Sequence, residues 1–219
     1  MGRPGVIVSF DLDGTLTDHA FVDGVWNEGL PELVSRRLHV PLDEARDMCA
    51  RAYAREGDDS VAWYRLPYWL AFFGIEDVRA EDLIERYTGR IRAFEDGLRS
   101  LARLSDMGVG LVLFSNATRA FLDRELEVTG LKRFFGEVVS LPDDWGTLKA
   151  CPDAFVRLGS LAGGVLVHVG DHVRYDYEVP MSVGVRAYHV WRGTGRRLQC
   201  SMETLDTLVE ALGRDKVIP

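Results

Sequence analysis

The chain has 219 residues, enough for one large domain or a domain with an insertion and too few for an assembly of modules. With 47% hydrophobic and 27% charged residues it falls in the ordinary globular range, away from compositions that stay unfolded. A formal charge of −8 lacks the excess of Lys and Arg that draws phosphate backbone, which argues against nucleic acid; a small anionic substrate stays open, because a bound divalent cation reverses the local sign of an acidic pocket.

Along the chain, Val6 to Phe10 is a short apolar, β-rich run that stops at Asp11. Residues 18 to 94 then hold no comparable run and read as four helices, Val22 to Leu38, Leu42 to Arg55, Ser60 to Phe73 and Ala80 to Arg92. Breakers separate them at Val40-Pro41, Gly57-Asp58-Asp59 and Gly74. A βα connection normally takes only a few residues, so a helical block of this size predicts an inserted subdomain. Its aromatics include Tyr64, Tyr68 and Phe72 at helical spacing, which predicts a packed core for the block.

After the block comes a helix from Gly97 to Met107, with Leu98, Leu101, Ala102 and Ser105 on one face. There follow a run from Val109 to Phe114 before Ser115, a helix from Arg119 to Thr129, and Val138-Val139 before Ser140. A helix from Pro152 to Leu161, a run from Val165 to Val169 before Gly170-Asp171, a fifth run from Val185 to Val190 and a helix from Met202 to Leu212 complete the chain. Continuous apolar runs suit strands covered on both faces. Strand alternating with helix predicts a doubly wound α/β domain with a parallel sheet, built from residues 1–17 and 95–219, and an α-helical subdomain over 18–94.

Cys49, Cys151 and Cys200 are widely spaced and form no C-x-x-C pair, so they read as free thiols in a reducing compartment. No stretch resembles a leader peptide or a membrane span, and the expectation is a cytoplasmic protein without a membrane partner.

In an open α/β sheet, ligands sit beyond the carboxyl ends of the strands. The residues there are Asp11, Asp13 and Gly14 after the first run, Ser115 and Asn116 after the second, and Asp171 after the fourth, with Asp176 five residues on. Four carboxylates converging on one crevice repel one another unless a metal lies among them. An all-oxygen set without Cys or His favours Mg²⁺.

In these residues the chain resembles the haloacid dehalogenase-like hydrolase superfamily. The segment Phe10-Asp11-Leu12-Asp13-Gly14-Thr15-Leu16-Thr17-Asp18 is similar to its nucleophile motif, Phe114-Ser115-Asn116 to its phosphate-holding motif, and Val169-Gly170-Asp171 with Asp176 to its metal motif. The resemblance implies a Rossmann-like core with a helical cap of the C1 type at 18–94. It also implies a Mg²⁺-dependent phosphatase acting on a small phosphorylated metabolite. By that resemblance Asp11 is the nucleophile and Asp13 the general acid and base. Ser115 and Asn116 hold phosphate. Asp11, Asp13 through its main-chain carbonyl, Asp171 and Asp176 serve the metal. The family also places a Lys beside the nucleophile, usually directly before Pro-Asp. Here that slot holds Cys151, and Lys149 two residues earlier is the candidate for the catalytic and phosphate-binding cation. His19 and His172 read as surface or neighbouring histidines. A phosphosugar mutase of the same superfamily, and a non-catalytic binding protein on the same scaffold, are the alternative readings.

Overall fold

The computed structural model describes residues 5 to 218; residues 1 to 4 and 219, counted in the expected core, lie outside that range. Strands β1 (Val6–Phe10), β2 (Gly110–Ser115), β3 (Glu137–Ser140), β4 (Val165–Gly170) and β5 (Arg186–His189) form a parallel sheet in the order β3-β2-β1-β4-β5. Every neighbouring pair is parallel, with Ser9 opposite Val112 on one side and His168 on the other. The chain steps outward from β1 to β2 and β3, then returns past it to β4. The β1/β4 boundary is therefore the point where the winding reverses, and a crevice opens there at the carboxyl ends.

The continuous apolar runs have the expected consequence. Val8, Phe10, Leu113, Val167 and Val169 point to one face, under Leu101 and Leu104 of α6 (Glu95–Asp106), Leu122 and Leu126 of α7 (Arg119–Thr129), and Leu208 and Leu212 of α10 (Leu208–Arg214). Val112, Phe114, Val139 and Leu166 point to the other, under Phe155 and Leu158 of α8 (Pro152–Ala162). Each strand is buried on both sides because its alternate residues feed two different layers.

The segment between β1 and β2 holds α1 (Ala20–Asp23), a π-helical turn at Gly24–Gly29, α2 (Leu30–Leu38), α3 (Leu42–Glu56), α4 (Leu66–Phe72) and α5 (Ala80–Tyr87). These pack around a cluster of their own that includes Phe21, Leu30, Leu66, Trp69 and Leu83; Phe121 of α7 joins it from the sheet side. The two strands of chain that connect the segment to the sheet lie side by side. Asp18 N–H donates to Arg92 C=O at 3.0 Å and Phe94 N–H to Leu16 C=O at 2.8 Å, with Thr17 bridging Ala93.

Three expectations are corrected in detail. The helix expected over 60–73 is a 3₁₀ turn at Val61–Tyr64 followed by α4, with Arg65 extended between them. Pro67 is the reason, since inside a continuous helix its ring would strike the carbonyl four residues back, whereas in a first turn it is tolerated. As a result Tyr64, Tyr68 and Phe72 do not share a buried stripe: Phe72 is 54% exposed, and the cluster is filled instead by Trp69 at 1%. The helix expected from Met202 begins later. Met202 pairs with Val190 beside the sheet, Thr204 accepts from Asp206 N–H as a cap, and a 3₁₀ turn at Leu205–Thr207 leads into α10. The helix expected over 80–92 ends at Tyr87 and finishes in a 3₁₀ turn.

Candidate active site

The loop after β1 is wound around one carbonyl. Leu12 C=O accepts from the N–H groups of Thr15, Leu16 and Thr17 at 3.1, 2.8 and 3.0 Å, while the Leu12 side chain is anchored in the core. So tight a turn needs a left-handed residue, and Gly14 supplies it with φ +77°. A Cβ there would also collide with the carboxylate of Asp171 and the ring of His19. Asp11 N–H still bonds Val169 C=O at 2.9 Å, so the first residue of the loop keeps the register of the sheet and is held as firmly as a strand residue.

Asp11, Asp171 and Asp176 each offer a carboxylate oxygen within 4.8 Å of the others'. Lys149 stands among them, 2% exposed, its Nζ bonded to Asp11 Oδ1 and 2.7 Å from Asp176 Oδ1. The displacement of Lys149 from the usual slot is resolved by the loop before it. A π-helical turn at Leu141–Trp145 ends at Gly146, whose left-handed φ of +64° reverses the chain. Leu148 then seats in the interior, and Lys149 follows it inward. Cys151, in the familiar position, is exposed at the start of α8.

Asp176 is the most fully bonded of the three. Its Oδ1 accepts from Lys149 and from His168 Nε2 at 3.0 Å, and its Oδ2 accepts from the His172 N–H at 3.0 Å. Although burial favours its neutral form, Lys149 and His168 outweigh this and hold its carboxyl well below the usual range. A carboxylate facing His168 Nε2 requires a proton on that nitrogen; on its other side Nδ1 lies 2.8 Å from the Ser9 hydroxyl, which also reaches Val167 C=O at 3.1 Å. Gly170 makes this close packing possible, since a Cβ there would occupy the position of the Asp176 carboxyl.

One ammonium serves two carboxylates, with Asp171 close by. Burial, then the neighbouring Asp176 and Asp171, outweigh the pull of Lys149 and push the Asp11 carboxyl up to about 8. Lys149 itself stays protonated: burial opposes its charge, and Asp11 and Asp176 overcome that and raise it above an ordinary lysine. The group is short of positive charge and built of oxygen donors alone, which fits a hard divalent cation.

The side chain of Asp13 stands outside this group and is turned toward Glu125 of α7. Burial, and next the Glu125 carboxylate, push Asp13 well above the usual carboxyl range, which favours its protonated form. Glu125 is 0% exposed, and burial pushes it up to about 7. Ser115 caps β2 and accepts from Ala117 N–H at 3.0 Å. Asn116 accepts from Lys149 N–H at 2.9 Å and donates to Tyr64 Oη at 3.2 Å, so its side chain joins the lysine loop to the helical segment.

Glu125 and His168 were not picked out in the sequence, and Tyr64 was read there only as part of the helical block's core. Arg192 was not picked out either; it bonds Asp96 at 2.6 Å and the Thr15 carbonyl at 2.9 Å and so braces the loop after β1. His19 lies 3.5 Å from Asp171 and is raised to about 9, chiefly by that contact, which gives it a closer part than that of a surface histidine. Asp11, Asp13, Ser115, Asn116, Lys149, Asp171 and Asp176 all line one cavity of about 780 Å³, together with Trp26, Trp63 and Phe121.

The family model described as haloacid dehalogenase-like hydrolase matches residues 7 to 180. The chain belongs to that family. Among solved structures, this haloacid dehalogenase-like hydrolase is similar to the HAD phosphatase from Thermococcus onnurineus, with a TM-score of 0.83 and 27% identity over 95% of this chain and 98% of that one. It shares its fold with a HAD family hydrolase from Deinococcus radiodurans R1 solved with bound phosphate and sodium. That pair has a TM-score of 0.65 and 22% identity, covering 99% and 98% of the two chains. The GMP/IMP nucleotidase YrfG of Escherichia coli is 32% identical over 124 residues, 57% of this chain. The match spans only 54% of that protein's length. Among the described residues, no helix is long and apolar enough to cross a membrane.

Proposed function

We propose that this hydrolase is a Mg²⁺-dependent phosphatase that cleaves a small phosphomonoester through an aspartyl-phosphate on Asp11. The observation that carries the reading is the placement of Asp11: a carboxylate at the end of the central strand, ion-paired to buried Lys149, within one group with Asp171 and Asp176. The phosphatase and nucleotidase names of the similar proteins support a phosphomonoester as substrate. Membership of a hydrolase family speaks against the non-catalytic alternative.

Asp11, Asp171, Asp176 and the main-chain carbonyl of Asp13 would hold the cation, Asp176 through water or through its neighbours because its own oxygens are already bonded. When bound, Mg²⁺ supplies charge neutralisation and Lewis-acid polarisation of the phosphoryl oxygens. In the first step an Asp11 oxygen bonds to phosphorus as the bond from phosphorus to the alcohol oxygen breaks, and Asp13 gives that oxygen its proton. In the second, Asp13 takes a proton from water as the water oxygen bonds to phosphorus, releasing phosphate and restoring the Asp11 carboxylate. Ser115 and nearby backbone N–H groups hold the phosphoryl oxygens, and Lys149 balances the charge that gathers there. In this scheme residues 18–94 act as the cap that covers the reaction from bulk water.

The reading is tested with p-nitrophenyl phosphate. Turnover is expected with MgCl₂, to vanish in excess EDTA and to return when Mg²⁺ is restored; a rate indifferent to chelator would overturn the metal assignment. Release of free phosphate, as opposed to transfer back onto a sugar phosphate, separates the hydrolase from the mutase.

The raised proton affinity of Asp13 leads to a further expectation. Asp13→Asn should lower kcat/KM most for alkyl phosphates, by about 10²-fold or more, and least for p-nitrophenyl phosphate, whose leaving group needs little protonation. Plotted against leaving-group pKa, the loss should slope upward; a flat plot would take the acid role away from Asp13.

A further inference from the structure

We infer that the aromatic wall of the cavity is a subsite for a flat aromatic ring carried by the phosphomonoester, with Trp63 and Trp26 as its specificity-determining residues. The inference rests on the phosphatase reading and adds the class of the leaving group. At about 780 Å³ the cavity lies within the ~300–1,000 Å³ range of sites for whole small molecules, far more than a phosphoryl group fills.

The wall has a distinct makeup. Trp26 lies nearly parallel to Phe121, with ring centroids 5.5 Å apart and 14° between planes, and Trp63 follows at 6.2 Å and 32° from Trp26. Tyr64 meets Trp63 edge-on at 4.9 Å. Trp69 and Phe73 are buried in the helical cluster, whereas Trp26, Trp63 and Tyr64 keep part of their surface open and line the cavity. Partly open indole rings that line the same cavity as the carboxylates offer stacking area to a planar ring.

Several polar groups of the wall are bonded to one another. Tyr53 Oη donates to Trp26 C=O at 3.0 Å, Tyr64 Oη to Asp58 C=O at 3.1 Å, and Asn27 Nδ2 to Asp23 Oδ1 at 2.9 Å. At the mouth, Arg174 is paired with Asp59 and Arg196 with Glu178. A polyol phosphate would bring several hydroxyls against the indole rings and these paired groups, and those hydroxyls facing the rings would lose bonds to water without replacement. A ring presents an apolar face and few such groups, so the wall selects for a nucleobase or aryl group over a sugar chain.

The test compares kcat/KM for a purine nucleoside 5′-monophosphate and 2-naphthyl phosphate with that for glycerol 3-phosphate and glucose 6-phosphate, in wild type, Trp63→Ala and Trp63→Phe. Wild type should favour the ring-bearing pair by about tenfold or more. Trp63→Ala should cut that ratio by about ten- to hundredfold, chiefly through KM, and Trp63→Phe should keep most of it. A wild-type ratio at or below one, or a Trp63→Ala loss shared equally by both classes, overturns the inference and leaves the phosphatase reading standing. Failure to release phosphate from any of the four overturns both.

Discussion

Asp11→Asn should leave no measurable turnover on any phosphomonoester, a loss of about 10⁴-fold or more, the scale on which removal of a covalent nucleophile acts. Asparagine has the shape of aspartate, so the β1 loop, the bond from Asp11 N–H to Val169 C=O and the turn around Leu12 all have reason to persist. The substitution also takes one carboxylate from a crowded group in which Asp176 keeps its bonds to Lys149 and His168. The variant should fold, melt cooperatively and bind substrate without consuming it. Near wild-type turnover would overturn the aspartyl-phosphate scheme, and acid-quenched wild-type enzyme should retain radiolabel from ³²P-substrate that the variant lacks.

The second large effect belongs to Lys149. Its ammonium touches both Asp11 and Asp176, and with Asp171 beside them the removal of that one charge leaves Asp11 among like charges. Lys149→Ala should lower kcat by about two orders of magnitude or more, as loss of a single preorganised charge-stabilising group does. Lys149→Arg should not restore it. The space is bounded by Asp11, Asp176 and the loop fixed by Asn116, and a planar guanidinium cannot stand where a compact ammonium bridges two oxygens. Unchanged kinetics in Lys149→Ala would mean that the charge balance at phosphorus is kept by other groups.

Much of this architecture can be read from the chain, and the reason is local. A strand covered on both faces must be apolar at every position, so Val6–Phe10 and Val165–Gly170 announce themselves, and the residue that ends each run is carried to the crevice by the topology. Asp11 and Asp171 are legible for that reason. Lys149 is only half legible: its type and neighbourhood are in the sequence, but the inward turn depends on Gly146 and on Leu148 finding the core. Glu125 and His168 are not legible at all. Glu125 sits within α7, and its meeting with Asp13 exists only when that helix lies across the β1 loop. His168 occupies a strand position that faces Phe114 and Phe155, where an aliphatic residue would serve the packing equally well. Its use becomes apparent only once Asp176 returns 3.0 Å from its ring. The aromatic stripe predicted from Tyr64, Tyr68 and Phe72 failed because a single proline restarted the helix. That restart leaves Tyr64 in a position to reach Asn116 across the cavity.

The paired crossings at Leu16 to Asp18 and Arg92 to Phe94 have a consequence for how the molecule can be altered over time. Because entry and exit are hydrogen-bonded neighbours, the sheet experiences the whole segment between them as a loop with almost no span. The entropy of closing a loop grows only slowly with its length, so the sheet is nearly indifferent to whether that loop is a short turn or a bundle of helices. The helices can lengthen, reorder or be exchanged for others, and the strand ends that carry the carboxylates need not move. What such an exchange must preserve is narrow: Phe121 needs a partner for its ring, and Asn116 needs something in the place of the Tyr64 hydroxyl. The sheet and the helical segment are thus two separable stretches of one chain.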